Sequence, residues 1–476
     1  MVVFSIDPAS DEAVPFPHPF LKCVGSCHAL TALREDWRRQ MEQCRRDIGF
    51  SFVRFHGLLN DDMSVCLESA GRIVYSFHNV DSIFDFLLGI GMKPFVELSY
   101  MPGCIASGTM SAFHYRGNVT PPRDYSRWGD LIRTLTRHLV QRYGAPEVAS
   151  WYFEVWNEPN LEYFWNGSRE EYFALYREAA RAIKEVDGRI PVGGPATARN
   201  EWITEMIAFC ETEAVPLDFI STHHYPTDIA LVQEGGAGKS VALQRGILTA
   251  MARTARAQAG TRPLHYTEWN SSPSSRDPLH DEPFAAAFIV KTAVDNAPLV
   301  HAYSYWTFSD IFEELGFSSL PFHGGFGLLT IHGVPKPSYR AFQLLSMLGS
   351  ERLPVRSDSP HSMLECVATR EGGAVMMVLY NHNAAGLPLE REHARIDLRG
   401  AGFSEATLYR IDDDHANAVK LWKDMGSPEY PDAAGVAKLV AASEMKPETV
   451  RGSATQGVMR VEIDVPAHGV VGMRIS

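Results

Sequence analysis

Two glutamates occupy positions from which they can act together on a bound molecule. Glu158 lies in the segment WYFEVWNEPNL of residues 151–161, and Glu268 lies in the segment LHYTEWN of residues 264–270. Each follows a short run of β-branched and aromatic residues that is typical of a buried strand. The carboxyl ends of barrel strands are where barrel enzymes hold their reactive groups. Two carboxyl groups that face each other there have the chemistry for cleaving a glycosidic bond.

Glu158 is predicted to serve as the general acid. A general acid must keep its proton at rest, so the pKa of its carboxyl group must lie above that of a free glutamate. Burial and a neighbouring carboxylate can both raise that pKa. Asn157 offers an amide that can hydrogen-bond a sugar hydroxyl, and Pro159 stiffens the turn that leaves the strand. The competing interpretation is an ordinary strand-end turn with an exposed acid.

Glu268 is predicted to be the nucleophile, which must stay ionised and therefore needs hydrogen-bond donors around it. Tyr225 is a candidate donor because it lies near the end of the segment STHHYP of residues 221–226, on the preceding strand. Strand alternation directs His223 and Tyr225 to one side and His224 to the other. A metal site at these histidines is disfavoured, since no HExxH or similar ligand spacing is present.

Eight strand–helix units are predicted between residues 20 and 345, which fits a (β/α)8 TIM barrel with some long loops. Residues 168–186 show the helical pattern clearly. Ser168 can cap this helix, Glu171 completes a capping box, and Gly188 follows as a stop signal. The candidate strands are residues 21–25, 51–55, 94–98, 151–156, 190–193, 218–222, 264–267 and 302–306.

The chain changes character after about residue 350, where short alternating strands replace the strand–helix units. These strands, with residues 433–443 as the clearest helix, predict an accessory β-sandwich. Val2–Ile6 alternates similarly, and we expect it to cross over and pair with the sandwich. The predicted division is an N-terminal strand region (1–13), a catalytic barrel (14–346) and a β-sandwich (347–476). The candidate sandwich strands are residues 363–367, 374–381, 394–398, 406–411, 457–465 and 470–475.

The composition argues against several classes of partner. The net charge of −13 lacks the basic footprint that nucleic acids and anionic membranes require. No apolar run approaches the roughly 20 residues needed to span a bilayer, and the N-terminal segment does not have the pattern of a secretory signal. The seven cysteines are odd in number, scattered and without CxxC spacing. They indicate reduced thiols and a cytoplasmic location.

The segments around both glutamates resemble the two catalytic motifs of family 39 glycoside hydrolases, a clan A family of retaining enzymes dominated by β-xylosidases. The resembling stretches are FEVWNEPNL at residues 153–161 and YTEWN at residues 266–270. Residues 54–62, 94–102 and 305–328 resemble the family's segments at the second, third and eighth strands. The likeness covers the barrel almost entirely, whereas the C-terminal third matches only as a general sandwich architecture.

The resemblance implies that Glu158 is the acid/base and Glu268 the nucleophile. It also implies a xylo-oligosaccharide or aryl xyloside as substrate. Glycosyl transfer between two carboxylates needs neither redox chemistry nor a Lewis acid, so no cofactor and no metal is expected. Glu97 is expected to form a salt bridge with Arg54 rather than to bind sugar. Glu313 and Glu314 are adjacent acids near the eighth strand, and the sequence leaves open which of the two carboxylates faces the substrate. The implied substrate-binding residues are His56, Asn157, His223, Tyr225, Trp306, Glu313, Glu314 and Phe322.

Four functional hypotheses follow. The first is a retaining, exo-acting β-D-xylosidase that works by double displacement through a covalent glycosyl-enzyme. The second is an α-L-iduronidase-like enzyme or another pentosidase of the same family; a uronic acid would require an extra Arg or Lys in the pocket. The third is a non-catalytic carbohydrate-binding protein, because a fold alone does not establish activity. The fourth, a metal-dependent barrel enzyme, would require His and Asp ligands at strand ends. The sequence leaves the oligomeric state open.

Overall fold

A computed structural model describes residues 1–228, 244–400, 405–455 and 457–475. Eight parallel strands follow one another in chain order and close into a barrel, with the last strand beside the first. The predicted barrel is confirmed, as are all eight strands, which differ from the prediction by a few residues at their ends. The strands, numbered one to eight, are Cys23–His28, Phe52–His56, Lys93–Leu98, Tyr152–Val155, Val192–Thr197, Phe219–His224, Leu264–Trp269 and Ala302–Tyr305.

Helices cover the outside of the barrel. Arg169–Val186 begins with the predicted capping box: Ser168 Oγ accepts from the Glu171 amide, and the Glu171 carboxylate accepts from the Ser168 amide. None of the helices in the described parts of the chain has both the length and the apolar character needed to cross a membrane. The other α-helices around the barrel are Glu35–Asp47, His78–Gly89, Tyr125–Tyr143, Ala145–Val148, Ile203–Thr212, Ile247–Ala259, Pro283–Asn296 and Pro337–Ser346.

Shorter elements connect these units. Two small hairpins pair Cys66–Ser69 with Arg72–Tyr75 and Ser111–Ala112 with Gly117–Asn118. The short 3₁₀ helices are Pro19–Leu21, Ala29–Leu33, Asp61–Met63, Ala198–Asn200 and Pro278–Asp281.

Alternation along the strands places a charged layer above an apolar layer inside the barrel. Side chains two residues apart share a face, so Phe52 in the lower layer is followed by Arg54 and then by His56 on the second strand. On the third strand, Phe95 is followed in the same way by Glu97. The charged layer therefore lies directly beneath the carboxyl ends of the strands. The apolar layer consists of Cys23, Phe52, Phe95, Tyr152 and Phe219.

Two further sheets form the C-terminal part of the molecule, as the sandwich prediction requires. All six predicted strands are present, but the short strands at residues 14–15, 351–357 and 448–455 were missed. The seven-stranded sheet has the order Val14–Pro15, Glu351–Leu353, Leu364–Glu371, Ala374–Asn381, Val470–Ile475, Glu405–Ile411 and Glu448–Arg451. The five-stranded sheet has the order Val355–Ser357, Val2–Ile6, Glu392–Arg399, Val458–Val465 and Ser453–Thr455. The helices here are Ala418–Asp424, which was missed, and the predicted Ala433–Ala442.

Val2–Ile6 lies in the interior of the five-stranded sheet. It pairs antiparallel with Val355–Ser357 and parallel with Glu392–Arg399. Its alternate side chains Val2, Phe4 and Ile6 are buried in the apolar core between the two sheets. The exact division of the chain at residues 13 and 346 stays a prediction.

Candidate active site

The two glutamates lie at the carboxyl-terminal end of the barrel, Glu158 just after the fourth strand and Glu268 on the seventh. Glu158 follows the fourth strand in a left-handed backbone conformation with φ of 45°, and its amide donates to Ala196 O at 2.8 Å. Glu268 is the fifth residue of the seventh strand. Both side chains are buried, and one oxygen of each carboxyl group lies within 4.8 Å of the other. The fold therefore brings the two glutamates together, as the sequence predicts.

Two hydrogen-bond donors and a nearby imidazole surround the Glu268 carboxyl group. Arg54 Nη1 donates to Oε1 at 2.8 Å, and the Tyr225 hydroxyl donates to Oε2 at 3.1 Å. His56 Nε2 lies 3.6 Å from Oε1. Both carboxyl oxygens of Glu268 are thus held by hydrogen bonds, one of them from a guanidinium. This environment suits a residue that must attack as an anion.

Arg54 is a buried cation that contacts three carboxylates. Besides Glu268, its guanidinium contacts Glu154 Oε2 at 2.5 Å and Glu97 Oε2 at 2.9 Å, and Nη2 donates to Asn157 Oδ1 at 2.9 Å. Burial alone would lower the pKa of Arg54, but the carboxylates outweigh burial and raise it above its usual value. The expected salt bridge between Glu97 and Arg54 is confirmed. The network fixes Asn157 and Glu268 relative to each other.

Glu158 has a contrasting environment. Burial raises the pKa of its carboxyl group to about 7. Its nearest polar partner is His223, whose Nδ1 lies 2.9 Å from Oε1. Burial also lowers the pKa of His223 to about 4, so this imidazole is neutral near pH 7. A carboxyl group that faces a neutral ring and is shielded from water can retain its proton, as a general acid must.

His56 and Trp306 form one wall beside the carboxyl pair. Their ring centroids lie 4.7 Å apart, and His56 Nδ1 pairs with Glu97 Oε2 at 2.8 Å. Burial alone would lower the pKa of His56, but the charges of Glu97 and Glu268 raise it above its ordinary value. Trp306 packs against the first strand, where a Cβ atom on Gly25 would lie 2.6 Å from its Cε3 atom. The absence of a side chain at Gly25 therefore leaves room for the indole beside the strand.

The two adjacent acids after the eighth strand, Glu313 and Glu314, lie in different environments. Glu314 is directed towards the site, with Oε1 3.9 Å from His56 Nε2. Burial, followed by the nearby charges of Glu268 and Glu158, raises the pKa of Glu314 to about 8 despite the opposing effect of His56. Glu313 instead hydrogen-bonds His28, which lowers the pKa of the Glu313 carboxyl group. Glu314 is therefore the member of the pair that lies beside the two glutamates.

A buried ion triad anchors the loop that follows the eighth strand. Lys336 Nζ lies 2.7 Å from Asp281 Oδ1 and 2.6 Å from Asp310 Oδ2. Asp310 also accepts from the Gly327 amide at 2.7 Å. These contacts tie the two ends of the loop that carries Glu314 to the barrel.

Phe322 and His224 lie in other surroundings. Phe322 packs in a small apolar cluster with Val334 and Trp422, and its ring centroid is 5.5 Å from that of Trp422. His224 stacks on Tyr266 and hydrogen-bonds Tyr303, as expected for a residue on the opposite side of the strand from His223. The substrate-binding role of Phe322 stays a prediction that these contacts do not support.

Two residues of the site were missed by the sequence analysis. Glu154 accepts from Arg54, and Thr267 donates to Glu154 Oε1 at 2.8 Å. A period of two along the strands was the available signal, because Glu154 lies two residues after Tyr152, which is part of the apolar layer, on the fourth strand. Pairing Glu154 with Thr267 requires the register of strands that are not adjacent in the chain.

Glu158, His223 and Glu268 are also close enough to share a cation, since their ligand atoms lie within 4.8 Å of one another. The surrounding donors argue against this use. Arg54 already places a positive charge against Glu268, and Tyr225 donates to the same carboxyl group. A second cation would be repelled by the guanidinium. The arrangement fits proton transfer and attack by a carboxylate better than metal coordination.

Comparison with known proteins agrees with this geometry. The model of the family described as Glycosyl hydrolases family 39 matches residues 3–460. The chain belongs to this family. A β-xylosidase of Caldicellulosiruptor saccharolyticus is 52% identical over 461 residues, covering 96% of this chain and 94% of the relative. A β-xylosidase of Geobacillus stearothermophilus is 36% identical over 473 residues, covering 95% and 92%.

A solved structure gives the same assignment. The structure of a GH39 β-xylosidase from Caulobacter crescentus superposes with a TM-score of 0.86 at 33% identity, covering 100% of this chain and 99% of the other. The protein is therefore a glycoside hydrolase, and the hypothesis of a non-catalytic binding protein is not favoured.

Proposed function

We propose that the protein is a retaining, exo-acting β-D-xylosidase that releases xylose from xylo-oligosaccharides or aryl xylosides. The observation that carries this proposal is the carboxyl pair, with oxygens within 4.8 Å and opposite electrostatic environments. Retaining enzymes hold their carboxyl groups roughly 5 Å apart, whereas inverting enzymes need roughly 6.5–9.5 Å to admit a water. The two relatives named β-xylosidases supply the substrate class.

The first half of the reaction uses both glutamates at once. Glu268, ionised and held by Arg54 and Tyr225, attacks the anomeric carbon. Glu158 donates its proton to the leaving oxygen as the glycosidic bond breaks. The product is a covalent xylosyl ester of Glu268 with inverted configuration at the anomeric carbon.

The second half reverses the roles. Glu158, now ionised, removes a proton from water as the water oxygen attacks the anomeric carbon. The ester bond to Glu268 breaks, and xylose leaves with its original configuration. Asn157, His56 and Glu314 are proposed to bind hydroxyls of the glycone, because they present polar atoms beside the pair.

An iduronidase-like activity is the weaker alternative. The cations that flank the carboxyl pair, Arg54 and His56, are both paired with protein carboxylates. Neither cation is therefore free to pair with the carboxylate of a uronic acid. The high identity to proteins named β-xylosidases points the same way.

The decisive test follows hydrolysis of an aryl β-D-xyloside by proton NMR, with wild type and Glu268→Ala. The expected result is early release of β-xylose by wild type, and an inactive variant that azide partly rescues as the α-xylosyl azide. Early α-xylose would show inversion and remove Glu268 as nucleophile. Faster turnover of an aryl iduronide would replace the substrate assignment. Early products from xylohexaose would test exo action, since an exo enzyme releases xylose and xylopentaose from the first cleavage, whereas an internal cut gives xylobiose or longer fragments.

We also propose that the enzyme works in the cytoplasm. All seven cysteines are free, and five of them are buried, which suits a reducing compartment. Cell fractionation with an antibody would place the protein. Recovery outside the cytoplasm would contradict this proposal without affecting the catalytic one.

A further inference from the structure

A chain of buried side chains joins Arg54 to Glu158 across the barrel. Arg54 Nε donates to Glu154 Oε2 at 2.5 Å, and Thr267 Oγ1 donates to Glu154 Oε1 at 2.8 Å. The same Thr267 oxygen lies 3.1 Å from His223 Nε2, and His223 Nδ1 lies 2.9 Å from Glu158 Oε1. The five side chains come from four different strands and the turn after one of them. All five are buried.

The direction of each hydrogen bond follows from the number of hydrogens available. Glu154 is paired with Arg54, so its carboxylate accepts and has no hydrogen to give. The Thr267 hydroxyl has one hydrogen, which it gives to Glu154. It can therefore offer His223 only a lone pair. Nε2 of His223 must carry the ring hydrogen for the contact at 3.1 Å to be a hydrogen bond.

The other ring nitrogen is then an acceptor. A neutral imidazole carries one hydrogen, and burial keeps His223 neutral by lowering its pKa to about 4. With the hydrogen on Nε2, Nδ1 presents a lone pair to Glu158 Oε1 at 2.9 Å. Two acceptors at that distance repel each other unless one of them is protonated. Glu158 is the group that can supply the hydrogen.

We propose that Glu154 and Thr267 are positioning residues that fix the tautomer of His223 and thereby keep Glu158 in its acid form. The proposal rests on the proposed function in taking Glu158 as the acid/base. Neither positioning residue contacts the reacting atoms in this arrangement. Their effect reaches Glu158 only through the two nitrogens of His223.

The same tautomer assists both steps of the reaction. In the first step the Glu158 proton moves to the leaving oxygen while the bond to Glu268 forms. The ionised Glu158 then faces the Nδ1 lone pair of His223. This repulsion raises the basicity of Glu158 when it must take a proton from water. That proton restores the starting arrangement as the ester bond to Glu268 breaks.

Several other charged groups act on the carboxyl group of Glu158. His56, Arg54 and Arg199 favour its ionised form, whereas Glu97 disfavours it. Glu268 also faces the imidazole, with Oε2 3.7 Å from His223 Nδ1, a distance too long for a hydrogen bond that would hold the ring hydrogen on Nδ1. The titratable and charged groups that act on Glu158 or His223 from the surrounding elements are Arg54, His56, Glu97, Glu154, Arg199, His224, Tyr225, Asp228, Glu268 and Glu314.

The tautomer can be read directly in the wild-type protein. Nitrogen-15 labelling of histidine, with the His223 signals assigned by their loss in His223→Asn, distinguishes a protonated ring nitrogen from a bare one. At pH 7 we expect a protonated Nε2 and a bare Nδ1. The opposite tautomer, or a ring protonated at both nitrogens, would overturn the proposal. This measurement does not depend on turnover, so it stands even if the assignment of Glu158 fails.

The variant Thr267→Val tests the effect on catalysis. Without the hydroxyl, Nε2 loses its acceptor, and His223 can instead protonate Nδ1 and donate to ionised Glu158. For an aryl xyloside with a poor leaving group, we expect the alkaline midpoint of kcat/KM to fall by about one pH unit. Thr267→Ser keeps the hydroxyl and should keep the wild-type midpoint. If kcat/KM were lower at every pH but its alkaline midpoint were unchanged, Thr267 would contribute only to packing, and the proposal would be wrong.

A leaving-group comparison separates the two proposals. A dinitrophenyl xyloside needs little protonation, so Thr267→Val should lose much less activity with it at high pH. In kcat/KM, which reports the first step, Glu158→Ala should be severely impaired only with the poor leaving group, whereas kcat should fall with both substrates because the second step loses its base. If Glu158→Ala lowered kcat/KM equally for both substrates, the acid assignment would fail even where the expected tautomer of His223 had been observed.

Discussion

Glu158→Gln should make the protein more stable at alkaline pH while it impairs catalysis. Burial raises the pKa of the Glu158 carboxyl group from 4.5 to about 7 in the folded protein, whereas the unfolded chain ionises near 4.5. Below pH 4.5 the carboxyl group is protonated in both states, so it does not change the free energy of unfolding. Between 4.5 and 7 the unfolded state releases its proton first, so rising pH favours unfolding. Above pH 7 the buried carboxylate lowers the free energy of unfolding by a constant amount of about 3 kcal/mol.

Glutamine has nearly the same shape and never ionises, so the variant avoids this cost. An unfolding entropy of about 2.1 cal/mol/K per residue gives about 1 kcal/mol per degree for a chain of 476 residues. The gain in Tm should therefore be about 3 °C above pH 7 and should vanish towards pH 4. Differential scanning calorimetry of wild type and variant from pH 4 to pH 9 measures this difference.

The exposed residue Glu162 on the following loop provides a matched control. Glu162→Gln should leave Tm within a degree or so of wild type across the range, since surface substitutions usually change stability by less than about 0.5 kcal/mol. A Tm difference for Glu158→Gln that stayed flat with pH would mean that Glu158 ionises alike in both states. That result would refute the reasoning from burial.

Two further substitutions test the scaffold. Gly25→Ala places a Cβ atom 2.6 Å from Trp306 Cε3, so we expect the indole to be displaced. Measured kcat/KM should fall about tenfold or more, and tryptophan fluorescence should change; unchanged kinetics would mean that Trp306 has no part in the site. Lys336→Met leaves Asp281 and Asp310 buried without their cation. The free energy of unfolding, measured by urea titration, should therefore fall by about 3–5 kcal/mol, and an unchanged midpoint would contradict the anchoring role of the triad.

The sequence predicted the barrel well because its signals are local. Each strand is an apolar run between a helix and a turn, and each can be recognised without knowing its neighbours. The glutamates were found because Asn157 and Glu158 form one contiguous motif at a strand end. Strand alternation alone separated His223 from His224, and the structure places them on opposite sides.

Contacts between strands that are distant in the chain escaped prediction. The role of Thr267 depends on Glu154 lying across the barrel from it, which alternation along either strand does not reveal. Phe322 lies in a long loop whose path is set by its packing against Trp422. Strands such as Glu351–Leu353 are too short to show a period of two, and their neighbours in the sheet define them.

The place of Val2–Ile6 in the sandwich affects how the chain can fold as it is made. Its partners Val355–Ser357 and Glu392–Arg399 lie more than 340 residues further along the chain. At about 5–20 residues per second, translation would leave this apolar strand unpaired for roughly 17–80 seconds. During that interval it offers an open edge to any other β-strand nearby. The barrel can close first, but the strand at the N-terminus is among the last to find its partners.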